Sequence, residues 1–218
     1  MSILLFDQTE TDVLLITDTL VVDHDDKPTM FQHKVWTLPQ MNMAIAATGT
    51  ANVALTWRNV LSESFSPEDI EGLNDHAPAA LRAISAHLAK ENGPLGRTTI
   101  YHFGFPTGSH KLVRYIYRSQ NNFEPERFEG SQFGAKPAPP GLTFERPEGR
   151  EETIALAERL RDENVHRKDE GGVPIGGDLF ATLVTNGSSQ TVRWHRFSDY
   201  SDTRYAMSSF AAKEANIC

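Results

Sequence analysis

Apolar residues along the 218-residue chain fall into short runs with two different periods. Residues 2–6 and 13–17 are almost unbroken apolar stretches separated by the polar turn Asp7–Asp12, which predicts two paired strands. Leu20–Val22 continues in extended form, and His24–Pro28 reads as a surface turn. Met30–Leu38 is a further extended run, stopped by Pro39. Met41–Ala47 alternates poorly and predicts a strand buried on both faces. The period then changes. After Thr48-Gly49-Thr50, the residues Val53, Trp57, Val60 and Leu61 share one helical face, with Thr50 as the expected N-cap. Ser66-Pro67-Glu68-Asp69 marks another helix start. Pro78–Asn92 predicts a helix with Leu81, Ile84 and Leu88 on one side, closed by Asn92-Gly93-Pro94.

Strand patterns resume over Thr98–Phe105 and Lys111–Arg118, around a hairpin loop at 106–110, and again over Phe123–Phe133. The Pro-rich stretch Lys136–Gly141 excludes regular structure. Arg150–Glu163 predicts a helix with Ile154, Ala157, Leu160 and Arg161 along one stripe. Gly171-Gly172 and Gly176-Gly177 read as turns. Phe180–Val184 and Thr191–Phe197 pair across Asn186-Gly187, and a polar, peripheral tail begins at Ser198. Helices sit as a block between blocks of strands, which argues against a doubly wound parallel sheet. The expected fold is α+β: a four-layer αββα sandwich of two antiparallel sheets flanked by helices. One domain spans 1–218, with 198–218 at its periphery.

Composition narrows the function more than the fold. A formal charge of −8 argues against general nucleic-acid binding, which needs clustered Lys and Arg. No apolar run approaches the roughly 18 residues of a membrane span. The N-terminus lacks the basic and apolar regions of a secretory signal, so Met1 is expected to lie beside the mature N-terminus. Cys218 is the only cysteine, which excludes disulfides within the chain and implies a reducing, cytoplasmic setting. The eight histidines are scattered without metal-helix spacing, Asp23-His24-Asp25-Asp26 reads as a solvated turn, and the paired glycines lack a P-loop context. No metal or cofactor is expected.

Three polar residues interrupt the apolar front of the chain at regular separation. Ser2 follows the start Met, Asp18 ends the second strand run sixteen residues later, and Lys34 opens another strand run thirty-two residues after Ser2. Their chemistry is complementary. A serine hydroxyl needs a base before it becomes a nucleophile, and a free α-amine, with a reference pKa of about 7.7–8, can be that base. An N-terminal serine carries both groups on one residue. A lysine cation beside it keeps the amine unprotonated, and an aspartate holds the lysine. Backbone N–H groups, with those near Ala46 and Ala47 as candidates, can stabilise the oxyanion of a tetrahedral intermediate.

The spacing of Ser2, Asp18 and Lys34, the Thr17-Asp18-Thr19 strand end, and Met43-Ala44-Ile45-Ala46-Ala47-Thr48-Gly49-Thr50-Ala51 together resemble the proteasome β-subunit family of N-terminal nucleophile hydrolases, including its bacterial two-component relative. The resemblance covers residues 2–92 best, 98–118 less well, and the remainder only in topology. It implies an N-terminal serine hydrolase that cleaves a peptide or other amide bond through an acyl-enzyme once Met1 is removed. Ser2 would be nucleophile and base, Asp18 and Lys34 the supporting pair, and Ala46, Ala47, Gly49 and Ser131 the oxyanion and substrate cleft. It also implies a homo-oligomeric ring. An ATPase partner is compatible with the family and unsupported by these residues. The chain departs from the family pattern in several places: Ser replaces the usual Thr, Ala46 stands for a glycine, Gly172 and Ile175 stand where an Asp and a Ser are expected, and Lys136–Gly141 replaces a helix. Asp169 and Asp178 are the available substitutes for the missing acid. These departures favour the alternative, a non-catalytic, self-assembling scaffold subunit. An acylase acting on a small amide is a third reading.

Overall fold

The computed structural model describes residues 3–23, 25–63, 67–138, 144–165 and 172–215, with side chains to 208. Six strands precede the first α-helix: β1 (Leu4–Gln8), β2 (Asp12–Asp18), β3 (Leu20–Val22), β4 (Pro28–Phe31), β5 (Val35–Leu38) and β6 (Met43–Gly49). Helices α1 (Ala51–Glu63), α2 (Ile70–Asn74) and α3 (Ala77–Asn92) follow. Next come β7 (Thr98–Gly104), β8 (Val113–Arg118), β9 (Pro125–Glu129) and β10 (Gln132–Lys136). Helix α4 (Arg150–Val165), strands β11 (Asp178–Thr185) and β12 (Ser188–Arg196), and helix α5 (Tyr200–Ala215) complete the chain. The class is α+β, with three antiparallel sheets and five α-helices among the described residues. One five-stranded sheet has the order β10-β1-β2-β11-β12, the other β5-β6-β7-β8-β9, and β3-β4 form a two-stranded ribbon.

Strand periodicity explains the unbroken apolar runs. Successive side chains point to opposite faces, and here both faces are buried. Leu4, Phe6, Val13 and Leu15 meet Ala44, Ala46, Tyr101 and Phe103 of the other sheet in one core cluster. Their neighbours Ile3, Leu5 and Ile16 pack with Leu156, Ala157 and Leu160 of α4 in a second. Met43, Ile45, Ile100, Tyr115 and Tyr117 pack with Val53, Trp57, Leu81 and Ile84 of α1 and α3 in a third. At the start of α2, Asp69 accepts the Glu71 and Gly72 N–H groups at 3.0 and 2.9 Å. Thr50 sends its hydroxyl to the Gly96 carbonyl at 3.2 Å.

Two of the expected strands divide between sheets. The Met30–Leu38 run breaks at Gln32–Lys34, where Gln32 N–H donates to the Thr19 carbonyl and the Lys34 side chain turns inward. The Phe123–Phe133 run breaks at Gly130-Ser131, where Gly130 takes φ of 75° and the chain crosses from one five-stranded sheet to the other. The polar tail forms α5, whose first residue, Tyr200, stacks on Phe31 of β4. No described helix is long and apolar enough to cross a membrane.

Candidate functional site

Asp18 ends β2 with its carboxylate fully buried and four donors around it. Oδ1 accepts the Ile3 N–H at 3.1 Å and the Lys34 Nζ at 2.9 Å; Oδ2 accepts the Leu20 and Gly176 N–H groups, each at 3.2 Å. Lys34, only 7% exposed, also donates from Nζ to the Leu20 carbonyl at 2.5 Å. Burial pushes the lysine below its ordinary pKa, and the Asp18 charge opposes that fall. A buried ion pair whose oxygens are fully hydrogen-bonded is fixed in place, because any displacement strands a charge without a partner.

The arrangement puts the N-terminal end of β1 against this pair. The Ile3 nitrogen, which carries the peptide bond to position 2, shares its acceptor oxygen with the Lys34 ammonium. Ser2 itself lies outside the described residues. The loop before β11 closes the site from another side. Gly176 holds Asp18 through its N–H and accepts the Thr19 and Leu20 N–H groups at its carbonyl, at 3.3 and 3.1 Å. Three of the four groups on the Asp18 carboxylate are backbone N–H donors, whose identity leaves no mark in the side-chain pattern. The paired glycines at 176 and 177 were the one available signal.

Ala46, Ala47 and Gly49 lie on β6 just beyond this pair. Val35, the residue after Lys34, pairs with Ala46, and the β5 pairing ends there. Ala47, Thr48 and Gly49 continue along β7 opposite Ile100, Thr99 and Thr98, half-buried and, among the described residues, without a strand on their other side. Ser131 is not brought to this place. In the β1–β10 register Gln132 lies opposite Gln8 and Lys136 opposite Leu4, so Ser131 sits at the end of β1 remote from Ile3. Strand rise alone separates the two by roughly 15 Å.

Ile175, which stands where the resemblance expects a serine, and Asp178, one of the two possible substitutes for the missing acid, are occupied elsewhere. Ile175 is buried in the cluster with α4. Asp178 grips Arg196 through two bonds, at 2.8 and 3.0 Å, and lies 3.8 Å from Arg193. Asp169 lies outside the described residues. His33 is exposed beside Lys34, its ring 4.0 Å from that of Phe180. In the acidic turn, Asp23 accepts the Asp25 and Lys27 N–H groups, and His24 lies outside the described residues. No cluster of His, Cys, Asp or Glu among the described residues is placed to hold a metal.

The arrangement of these sheets and helices is similar to that of solved structures over nearly the whole chain. Among the solved structures that match are several of Anbu, the ancestral beta-subunit. A helical assembly of the Anbu complex from Pseudomonas aeruginosa matches with a TM-score of 0.58 at 14% identity, over 99% of this chain and 96% of that one. The Gly-1 mutant of Anbu from Hyphomicrobium sp. strain MC1 gives 0.56 at 12%, over 100% and 97%. Anbu from Yersinia bercovieri gives 0.53 at 12%, over 99% and 95%. At these identities the likeness is one of fold. No family model and no curated protein matches the chain.

Proposed function

We propose that the chain is a proteasome-like N-terminal serine hydrolase acting on peptide or other amide bonds. The observation that carries this reading is the shared acceptor: one oxygen of Asp18 takes both the Ile3 N–H and the Lys34 ammonium. That contact tethers the residue-2 end of the chain to a buried cation, as the chemistry of an N-terminal nucleophile demands. With Met1 removed, the Ser2 hydroxyl attacks the amide carbonyl carbon and its proton passes to the α-amine. Backbone N–H groups at the Ala46–Ala47 end of β6 stabilise the oxyanion. Collapse breaks the C–N bond, the leaving amine takes the proton back, and an ester on Ser2 remains. Water then attacks that ester, the α-amine again takes and returns the proton, and the acid leaves with Ser2 regenerated. Lys34 holds the α-amine in its neutral form electrostatically, and Asp18 orients Lys34. The substrate lies along Ala47–Gly49, where β6 has no second neighbour among the described residues.

In this reading the sheets and helices form a four-layer αββα sandwich, and the chain self-associates, as the helical assembly of the Pseudomonas aeruginosa complex does. A second reading, a non-catalytic assembly subunit, is favoured by one observation: Ile175 is buried against α4 where the family's serine would complete the site. N-terminal sequencing of native protein combined with hydrolysis of a fluorogenic peptide library separates the two. The hydrolase reading expects a free Ser2 and turnover abolished by Ser2→Ala. A free Ser2 with no turnover on any peptide or small amide favours the scaffold, and a retained Met1 sinks the mechanism.

A further inference from the structure

We infer that Tyr200, the first residue of α5, is a positioning residue for the Asp18–Lys34 pair, acting through Phe31 and the Gly176–Gly177 loop. Its bearing on turnover rests on the hydrolase reading; its bearing on Lys34 does not.

The contacts form a closed path. Gly176 supplies one of the four donors on Asp18. Gly177 follows with φ of 83°, and the space where a Cβ would sit is filled by Thr19 Oγ1 and the edge of the Phe31 ring, 2.3 and 2.8 Å from that point. Phe31 therefore presses directly on the loop that holds Asp18. The other face of the arrangement is Tyr200, whose ring stacks on Phe31 at 4.6 Å with 12° between planes. The Arg196 guanidinium lies over the Tyr200 ring at 3.8 Å, so the ring is held between an aromatic face and a cation. Arg196 is fixed by its two bonds to Asp178, and Asp178 N–H donates to the same Thr19 hydroxyl at 2.9 Å. Gly177 carbonyl accepts the Phe197 N–H at 3.0 Å, which ties the loop to the residues just before α5.

Beyond Tyr200 the helix changes character. Ser201, Asp202, Arg204 and Ala206 are exposed, and Tyr205 is 77% exposed. The aromatic anchor at the helix start thus joins α5 to the Gly176–Gly177 loop, while most residues of the helix from 201 to 208 face outward. Removing the ring leaves Phe31 without its cover and the Gly177 loop without the surface that presses it onto Thr19. The expected result is looser Gly176–Asp18 contact, water at the ion pair, and a Lys34 ammonium easier to keep charged, since burial is what opposes its charge.

The experiment is competitive acetylation of the full-length protein with acetic anhydride across pH. Mass spectrometry follows the Lys34 peptide, with exposed Lys90 as the internal reference. Tyr200→Ala is expected to move the half-titration pH of Lys34 upward by about one pH unit, a tenfold change in its protonation equilibrium. Tyr200→Phe, which keeps the stack, is expected to restore the wild-type value, and Tyr205→Ala on the same helix to leave it unchanged. In a preparation that hydrolyses peptides, Tyr200→Ala lowers kcat with little change in KM. A Tyr200→Ala protein with a lowered Tm and an unmoved Lys34 titration overturns the inference, because packing alone then accounts for the contact. Should that variant not fold, Arg196→Ala, which strips one face of the ring, is judged by the same Lys34 criterion. A wild-type protein without turnover defeats the hydrolase reading and leaves the Lys34 measurement decisive for this one.

Discussion

Asp18→Asn is the substitution with the most to say about the site, because it changes charge with almost no change in volume. In the native protein the carboxylate has four donors. The asparagine keeps one oxygen and presents an amide N–H group in place of the other. If the oxygen stays with Ile3 and Lys34, the Leu20 and Gly176 N–H groups face a donor. Each buried N–H left without a partner costs about 1–3 kcal/mol. The Lys34 ammonium is left without its counter-charge, and breaking a buried ion pair from one side costs about 3–5 kcal/mol. Lys34 limits that cost by releasing its proton, so the two contributions do not simply add, and the expected loss at pH 7 is about 3–5 kcal/mol. Lys34→Met alone leaves Asp18 with three backbone donors and costs less. The double variant removes the stranded cation and is expected to be more stable than Asp18→Asn by at least about 1 kcal/mol. Equilibrium urea unfolding, followed by tryptophan fluorescence, measures all four proteins. The pH dependence carries a sign. Lys34 is held below its ordinary pKa in the folded protein, so across the interval between the two values the unfolded chain binds more protons, and stability rises with pH. Asp18→Asn removes the charge that supports the ammonium, which widens that interval toward lower pH. Additive single effects, within 0.5 kcal/mol on the roughly 0.3–0.5 kcal/mol scale of independent sites, would refute a coupled buried pair.

Other outcomes follow from the same structure. His102 is fully buried, accepts the Trp57 indole N–H at 2.9 Å, and is pushed by burial down to about 3. Its stabilisation is complete above the unfolded value near 6.5 and is lost as pH falls toward 3, a change of about 4–5 kcal/mol. His102→Gln keeps an acceptor for Trp57 and should flatten the urea-derived stability between pH 7 and 4. Gly177→Ala should cost more than Gly187→Ala. Both residues have positive φ, worth about 1–2 kcal/mol, but an added Cβ meets Thr19 Oγ1 at 2.3 Å only at 177 and nothing within 4 Å at 187. Thermal unfolding of the two variants measures the difference.

Much of the fold was legible because burial on both strand faces writes itself as continuous apolar runs, and the helices carried clean stripes, as at Val53, Trp57 and Leu61. What the pattern could not show was where an extended run changes sheets. Gln32–Lys34 and Gly130-Ser131 are such points, set by tertiary pairing and by one inward-turning lysine. The tail from Ser198 looked peripheral because α5 carries no clear apolar stripe, yet its first aromatic residue docks on β4. At the site, Asp18 and Lys34 were legible from spacing, and the structure brings them together at 2.9 Å. The Ile3 and Gly176 donors were not, since backbone N–H groups have no sequence signature. Ser131 shows the opposite failure. A plausible local motif lies at the wrong end of β1, a matter of strand register that short-range pattern does not encode.

The central claim is that position 2 carries a nucleophile activated at its own N-terminus. Mass spectrometry of native protein treated with an electrophilic probe for N-terminal nucleophiles tests it most directly. The expected result is a single adduct on Ser2 of a chain lacking Met1, lost in Lys34→Met. A correctly processed, folded chain that carries no adduct, or carries it on another residue, would contradict the mechanism.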